Sequence, residues 1–430
     1  QPLPSDTKPL SELPALPAGA KEMRCGSARL EVKAPAAKLA PLATHGAYLA
    51  RIGNCETCHT AAGGKPYAGQ RPIETPFGTA YSSNLTPDKV TGLGDWSADD
   101  FWQALHHGKS RDGRLLSPAF PYTNYTQVTR ADSDALYAYF LTLPAVSQVQ
   151  RAHDMNWPFG TQAALWIWRN LFFNPQVFVS EANRSEEWNR GAYLVNGLTH
   201  CSSCHTPRNL FGATQESTSL MGGLIPVQNW YAPSLITPRE GGVNPDDKTA
   251  TQALLRNGLS PQGLASGPMA LVVQGGTQYL TDADLRAVVS YLHFLSKPDK
   301  SMQEKAPQPM LNPPTPASPA AALGLNLYGA HCADCHGKAG QGVAGAYPAL
   351  AGNRAVVLAD TSNLIQTVLH GGFAPATAGN PRPYGMPPFV LHLNALEIAQ
   401  ILTFVRNAWG NQAGAVTEQQ VNRLRDRQTH

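Results

Sequence analysis

Three pentapeptides with the pattern Cys-x-x-Cys-His decide how this 430-residue chain folds: Cys55-Glu56-Thr57-Cys58-His59, Cys201-Ser202-Ser203-Cys204-His205 and Cys332-Ala333-Asp334-Cys335-His336. In this pattern two thiols form thioether bonds to the vinyl groups of a haem, and the adjacent histidine binds the iron. A four-thiolate zinc site or a dithiol redox pair would also use Cys-x-x-Cys, but neither explains a histidine following it three times. The sequence therefore predicts three covalently bound haem c groups.

Composition and charge exclude several classes of function. The net charge of +3 is too small to indicate a nucleic-acid partner. No run of about 18 apolar residues is present, so we expect no transmembrane helix. Haem attachment through thioethers takes place outside the bacterial cytoplasm, so we expect an exported protein whose signal peptide has been cleaved before Gln1. Six of the seven cysteines belong to the three pentads, so Cys25 is left over and does not attach a haem.

Each pentad lies in an internal repeat. A helix precedes it, marked by Gly46-Ala47-Tyr48-Leu49, Gly191-Ala192-Tyr193-Leu194 and Leu325-Asn326-Leu327-Tyr328. A second helix ends at Leu-x-x-Gly, and a third begins at a capping pattern such as Thr281-Asp282-Ala283-Asp284. This order predicts an all-α protein of three tandem cytochrome c domains.

The repeats and the composition between them divide the chain into seven parts: an extended N-terminal arm (1–42), domain 1 (43–150), an aromatic linker (151–185), domain 2 (186–297), a proline-rich linker (298–322), domain 3 (323–411) and a polar tail (412–430). Seven prolines make the second linker a semi-rigid tether. The Trp and Phe residues of the first linker are typical of a partner interface or a membrane-surface element, and equally of inter-domain packing.

The second axial ligand of each iron is predicted from register in the repeat. Met269 and Met386 follow the Leu-x-x-Gly glycines of the second and third repeats and lie in Gly/Pro-rich loops. A methionine thioether in this place raises the haem potential. The first repeat has Phe120 there, which cannot bind iron. Candidates for its sixth ligand are His106, His107 and Met155, followed by His153 and Met23; a five-coordinate iron is the alternative.

The proximal histidines, His59, His205 and His336, each need an acceptor for the second ring nitrogen. Pro233 and Pro348 stand at equivalent positions after the second and third pentads, and Ser83 stands there in the first repeat. We therefore expect the backbone carbonyls of these three residues to orient the imidazoles.

Several segments taken together resemble the three-haem cytochrome c subunits of membrane-bound periplasmic dehydrogenases: Gly46-Ala47-Tyr48-Leu49, Asn84-Leu85-Thr86-Pro87-Asp88, Arg190-Gly191-Ala192-Tyr193-Leu194, Cys204-His205-Thr206-Pro207-Arg208 and Asn407-Ala408-Trp409-Gly410. The resemblance covers about residues 43–411. It implies a subunit that accepts electrons from a catalytic dehydrogenase subunit and passes them through three haems to ubiquinone. It also implies attachment to the periplasmic face of the cytoplasmic membrane.

Two departures from the family bear on the catalytic partner. Alcohol dehydrogenase members carry a methionine where this chain has Phe120, and the arm at 1–42 is longer than theirs. The phenylalanine form resembles cytochromes that accompany molybdopterin enzymes with an iron–sulfur subunit, so the favoured partner is a molybdopterin aldehyde dehydrogenase. A quinoprotein alcohol dehydrogenase or a flavin sugar or sugar-acid dehydrogenase is the alternative.

Two other classes of function compete with electron transfer inside a complex. A peroxidase-like enzyme would use an open first haem, but no distal acid–base pair is evident, so no catalytic residues are assigned. A freely diffusing electron shuttle would need neither the aromatic segment nor the long arm. We therefore expect a non-catalytic subunit.

Overall fold

The computed structural model describes four ranges of the chain: 36–241, 248–261, 263–296 and 319–425. Met23, Cys25, most of the predicted N-terminal arm and most of the proline-rich linker lie outside these ranges. The described residues include all three pentads, both candidate methionines and the complete aromatic linker.

The first repeat is built on its first and last helices, which pack against each other. Its elements and those of the following linker are α1 (Ala36–Ile52), α2 (Cys55–His59), β1 (Pro72–Thr75), β2 (Gly78–Tyr81), α3 (Ala98–His107), α4 (Tyr122–Tyr125), α5 (Arg130–Phe140), β3 (Asp154–Met155) and α6 (Gln162–Phe172). Ser97 and Thr129 begin α3 and α5, because their side chains accept the backbone N–H groups of Asp100 and Asp132.

The second repeat has the same order with one additional residue before its pentad. Its helices and strands are α7 (Glu186–Tyr193), α8 (Ser202–His205), β4 (Gly223–Ile225), β5 (Trp230–Ala232), α9 (Pro238–Gly241), α10 (Lys248–Asn257), β6 (Leu259–Ser260), β7 (Gly263–Leu264), α11 (Pro268–Gly275) and α12 (Asp282–Leu295), with 3₁₀ turns at Glu216–Thr218 and Thr277–Tyr279. The additional residue is accommodated by a π-helical turn at Leu194–Leu198.

The third repeat ends in a helix that the sequence did not predict. Its elements are α13 (Pro319–His331), α14 (Ala333–His336), α15 (Arg354–Val357), α16 (Ser362–His370), β8 (Gly372–Phe373), β9 (Gly385–Met386), α17 (Ala395–Val405) and α18 (Glu418–Arg425). α18 lies in the predicted polar tail. Val421 and Leu424 are buried against the third core, so this part of the tail belongs to the domain. Only these two apolar residues, three positions apart among polar neighbours, indicate a helix here, and that pattern is too weak to predict one.

A close helix crossing defines each repeat. The first helix meets the last at Gly46, Gly191 and Gly324, where a Cβ would lie 2.8, 2.7 and 2.9 Å from the Cβ of Tyr139, Tyr291 and Phe404, respectively. Only glycine allows this separation without displacing the neighbouring helix. The sequence repeat therefore reflects one packing contact used three times.

Short strands correct the expectation of a purely helical protein. The structure is helix-rich, but β1, β2 and β3 form a three-stranded antiparallel sheet, and β4–β5, β6–β7 and β8–β9 are hairpins. The register pairs Pro72 with Tyr81 in the first sheet and Gly372 with Met386 in the last hairpin. Strands of two to four residues are too short for an alternating pattern to reveal them.

Most buried apolar residues of the described ranges belong to two separate cores. One is continuous through the first and second repeats, from Leu49 to Leu292, and the other lies within the third repeat, from Tyr328 to Leu424. The first two repeats therefore pack as a pair. Within the described ranges no helix has the length and apolarity to cross a bilayer.

Candidate haem-binding sites

A short hydrogen bond orients the histidine of every pentad. Nδ1 lies 2.7 Å from the Ser83 carbonyl oxygen in His59, 2.7 Å from that of Pro233 in His205, and 2.9 Å from that of Pro348 in His336. A carbonyl oxygen can only accept, so Nδ1 carries the proton and Nε2 has its lone pair free for a metal. The predicted orienting carbonyls are confirmed in all three repeats.

Burial shifts the pKa values of the pentad side chains. It lowers the pKa of His59, His205 and His336, and so favours neutral imidazole, the ligand form. Burial raises the pKa of Cys55 to about 12 and that of Cys332 to about 11. No cluster of His, Cys, Asp or Glu in the described part of the chain has the geometry for a metal ion.

A cavity of about 840 Å³ lies next to the first pentad. Cys55, Cys58 and His59 line one part of it, the cavity extends to Cys204 of the second pentad, and its remaining surface is mostly apolar. Such a volume and lining suit an enclosed planar cofactor. Three arginines, Arg114, Arg151 and Arg208, also reach it, while Glu74 is the only carboxylate among its described lining residues. The thiols, free imidazole nitrogen, apolar walls and guanidinium groups fit a haem c with its two propionates.

The cavity separates the candidates for the sixth ligand of the first site. His106 and His107 are not among its lining residues, and the His106 ring instead stacks on Trp102 at 4.3 Å. Met155 and His153 do line it. The Nδ1 atom of His153 accepts the backbone N–H of Tyr81 at 3.1 Å, which leaves the proton on Nε2. The structure therefore brings one candidate with a free donor atom, Met155, to this cavity.

Phe120 also lines this cavity, at the register position where the other repeats carry methionine. Met269 is the second residue of α11, immediately after Gly267, whose positive φ of 53° brings the backbone against the Trp230 ring. Met386 lies in β9, whose partner is β8. Both methionines are half-buried on short, fixed elements.

Two polar residues between the first and second repeats escaped the sequence reasoning. His200, directly before Cys201, is half-buried, donates to the carbonyl of Gly53 and lies 5.6 Å from the Tyr125 ring. Asn124 in α4 is 8% exposed and bonds to the second pentad. In the sequence, only the additional residue before the second pentad could have pointed to His200, and the π turn accommodates that residue.

The aromatic helix α6 borders the cavity of the first site and is also exposed at the surface. Its residues Leu165, Ile167, Trp168, Leu171 and Phe172 line the cavity. Ile167 and Leu171 are nevertheless 53% and 66% exposed, and Trp166, which does not line the cavity, is 61% exposed. This helix therefore lies between the first site and the surface of the protein.

Comparison with known proteins agrees with these sites. Residues 321–409 match the cytochrome c family, which binds haem c covalently. The chain is 37% identical over 396 residues to the cytochrome c subunit of alcohol dehydrogenase (quinone) from Komagataeibacter europaeus, covering 90% of this chain and 84% of that protein.

Two further relatives belong to other dehydrogenases. The gluconate 2-dehydrogenase cytochrome c subunit of Pantoea cypripedii is 36% identical over 398 residues, with 90% of both chains covered. A nicotinate dehydrogenase subunit of Pseudomonas putida is 37% identical over 372 residues, which is 86% of this chain and 30% of that longer protein. This chain belongs to the family of cytochrome c subunits of quinone-dependent dehydrogenases, which transfer electrons within the complex and do not catalyse the oxidation of its substrate.

Proposed function

We propose that this chain carries three haem c groups and transfers electrons from a catalytic dehydrogenase subunit to ubiquinone at the periplasmic face of the cytoplasmic membrane. The observation that carries the proposal is the hydrogen bond from Nδ1 to a backbone carbonyl, repeated in all three pentads at 2.7 to 2.9 Å. A pentad without a haem would have no need of this orientation. The haem supplies one-electron chemistry, and the chain positions it and adjusts its potential.

The three sites differ in what they offer to the second face of the iron. Met269 and Met386 are the proposed sixth ligands of the second and third haems. The first site has Phe120 at that register and Met155 elsewhere in its cavity. A different ligand set gives the first haem a potential separate from those of the other two.

The exposed side chains of α6 are the proposed membrane-facing surface. Trp166, Ile167 and Leu171 are between 53% and 66% exposed on one 11-residue helix. Exposed aromatic and aliphatic side chains of this kind are typical of elements that lie in a membrane interface. Because Ile167 and Leu171 also line the cavity of the first site, a quinone in the lipid would approach the first haem most closely.

Two observations point to different catalytic partners. Phe120 favours a molybdopterin aldehyde dehydrogenase with a small iron–sulfur subunit, and the nicotinate dehydrogenase relative shares 37% identity. The alcohol and gluconate dehydrogenase cytochromes favour a quinoprotein or flavin partner, because 84 to 90% of their length is covered. Co-purification from the native host, followed by identification of the large subunit and its cofactor, decides between them.

The haem content is tested with the intact protein expressed together with a cytochrome c maturation system. The pyridine haemochrome assay is expected to give three haems per chain, and mass spectrometry the corresponding added mass. Cys58→Ala, Cys204→Ala and Cys335→Ala, each combined with alanine at the first cysteine of the pentad, should each remove one haem. A wild-type value below three refutes the proposal.

A further inference from the structure

The first and second repeats hold each other through a reciprocal pair of hydrogen bonds. The hydroxyl of Tyr48 in α1 donates to Asp284 at the start of α12, at 2.6 Å. The hydroxyl of Tyr193 in α7 donates to Asp132 at the start of α5, at 2.5 Å. Tyr48 and Tyr193 occupy the same register in their repeats, so the contact has approximate two-fold symmetry. Each repeat therefore contributes a tyrosine hydroxyl to the first turn of the other repeat's last helix.

The same symmetry places the second pentad against the segment from Phe120 to Asn124. This segment is the distal segment of the first site, because Phe120 has the register of the sixth ligand. The Asn124 amide donates to Ser202 Oγ at 2.6 Å and to the carbonyl of Asn196 at 2.8 Å. Its carbonyl oxygen accepts from Ser203 Oγ at 2.8 Å. Ser202 and Ser203 are the two residues between the haem-attaching cysteines, and Asn124 lies four residues beyond Phe120.

The opposite contact places the first pentad against the distal helix of the second site. Asn54 precedes Cys55, and its carboxamide accepts the Thr57 hydroxyl at 2.6 Å. Both side chains lie directly against Gly275 in α11, where a Cβ would overlap Asn54 and approach Thr57 Oγ1 to 2.8 Å. α11 is the helix that begins with Pro268 and carries Met269. Each pentad is therefore packed on the segment that faces the other haem.

Asn124 provides the most direct of these connections. It is buried, and both of its amide hydrogens and its carbonyl oxygen are engaged with the π turn and the second pentad. Moving the second pentad without moving Asn124 would leave buried polar groups unpaired, which is costly. The first distal segment and the second haem attachment are therefore expected to shift together.

We propose that Asn124 is a positioning residue that couples the reduction potentials of the first and second haems. It does so by linking the distal segment of the first site to the two serines of the second pentad. The potential of a haem depends on its distal environment and on the hydrogen bonds around its ligands, so a change on either side of Asn124 alters both haems. The side-chain hydrogen bonds of Asn124 all go to the second repeat, and the third pentad lies in a separate core, so the third haem is expected to be unaffected. The proposal rests on the proposed function, because it requires haems in the first and second pentads.

The test is a spectroelectrochemical titration of the full-length protein carrying Asn124→Ala or the pair Ser202→Ala and Ser203→Ala. We expect both variants to move the same two of three midpoints and to leave the remaining one in place. The lost hydrogen bonds are worth up to roughly tenfold in an equilibrium constant, or about 59 mV for one electron. Asp334→Asn, at the Ser203 register of the third pentad, is the matched control and should move one midpoint at most.

Combining Asn124→Ala with the two serine substitutions distinguishes coupling from separate local effects. The combined variant should shift the midpoints no further than Asn124→Ala alone, because the same bonds are already lost. The proposal is wrong if the serine-to-alanine changes move only a single midpoint. It is also wrong if the shifts caused by Asn124→Ala and by the serine changes add in full in the combined variant. Failure of the proposed function would be seen separately, as fewer than three haems in the wild-type protein. If Asn124→Ala does not fold, the number of midpoints that the serine variants move decides the question.

Discussion

Replacing Tyr48 or Tyr193 by phenylalanine should loosen the first two repeats from each other while leaving the third unchanged. Each substitution removes one hydroxyl and keeps the buried ring. The acceptors are carboxylates that begin α12 and α5 in the other repeat. The change therefore acts on the contact between repeats rather than on either core.

The size of the effect follows from the charge of the acceptors. A hydrogen bond to a charged group contributes about 1.5–3 kcal/mol to stability. Asp284 keeps its bidentate pair with Arg190, at 2.8 and 2.9 Å, and Asp132 keeps His45 at 2.8 Å, so neither carboxylate is left without a partner. We therefore expect each variant near the lower end of that range, and the double variant about 3 kcal/mol less stable if the two contacts are independent.

Hydrogen–deuterium exchange followed by mass spectrometry measures this effect in each repeat. Peptides from α5 and α12 should exchange faster in both variants, and peptides from α17 should not. Tyr328→Phe is the matched control, because its hydroxyl donates to the neutral Gly337 carbonyl at 2.6 Å inside the third repeat. It should cost about 0.5–1.5 kcal/mol and speed exchange in the third repeat only.

Either of two results would refute this reasoning. One is a change of less than about 0.5 kcal/mol in both tyrosine variants, which would mean that water replaces the hydroxyls without loss. The other is faster exchange in α17 as well, which would mean that the three repeats unfold as one unit.

Three further predictions concern single sites. Met386→Ala should lower one midpoint potential, because the thioether raises the haem potential. Redox titration checks this, with Met221→Ala, at a methionine that is 49% exposed and does not line the cavity of the first site, as the control. Burial alone would raise the pKa of Asp284, but hydrogen bonds from Arg190 and Tyr48 lower it. The stabilising contribution of this carboxylate is therefore complete above about pH 4 and is lost as the pH falls further. Thermal unfolding measured as a function of pH should show this loss, and Asp284→Asn should abolish the pH dependence. Gly324→Leu should destabilise the third repeat by at least about 1–3 kcal/mol, as measured by denaturant unfolding, because the helix crossing has no room for a side chain.

Local sequence was sufficient wherever the chemistry lies within one helical turn or one repeat register. The orienting carbonyls of Ser83, Pro233 and Pro348 were predicted because each follows its pentad at an equivalent position in a repeated unit. The capped start of α12 was predicted because the cap, Thr281, and its partner, Asp284, are three residues apart. The short hairpins and α18 were missed because their patterns are too brief or too polar to stand out.

The sequence by itself determined the covalent chemistry of this protein, since two thiols and an imidazole must be close along the chain to hold one haem. Only the tertiary structure decided which distant residues meet. It brought Met155 rather than His106 or His107 to the first cavity, and it joined the first two repeats through Tyr48, Tyr193 and Asn124. The hydrogen bonds between the two repeats join residues 61 to 236 positions apart, and no local pattern records such a separation.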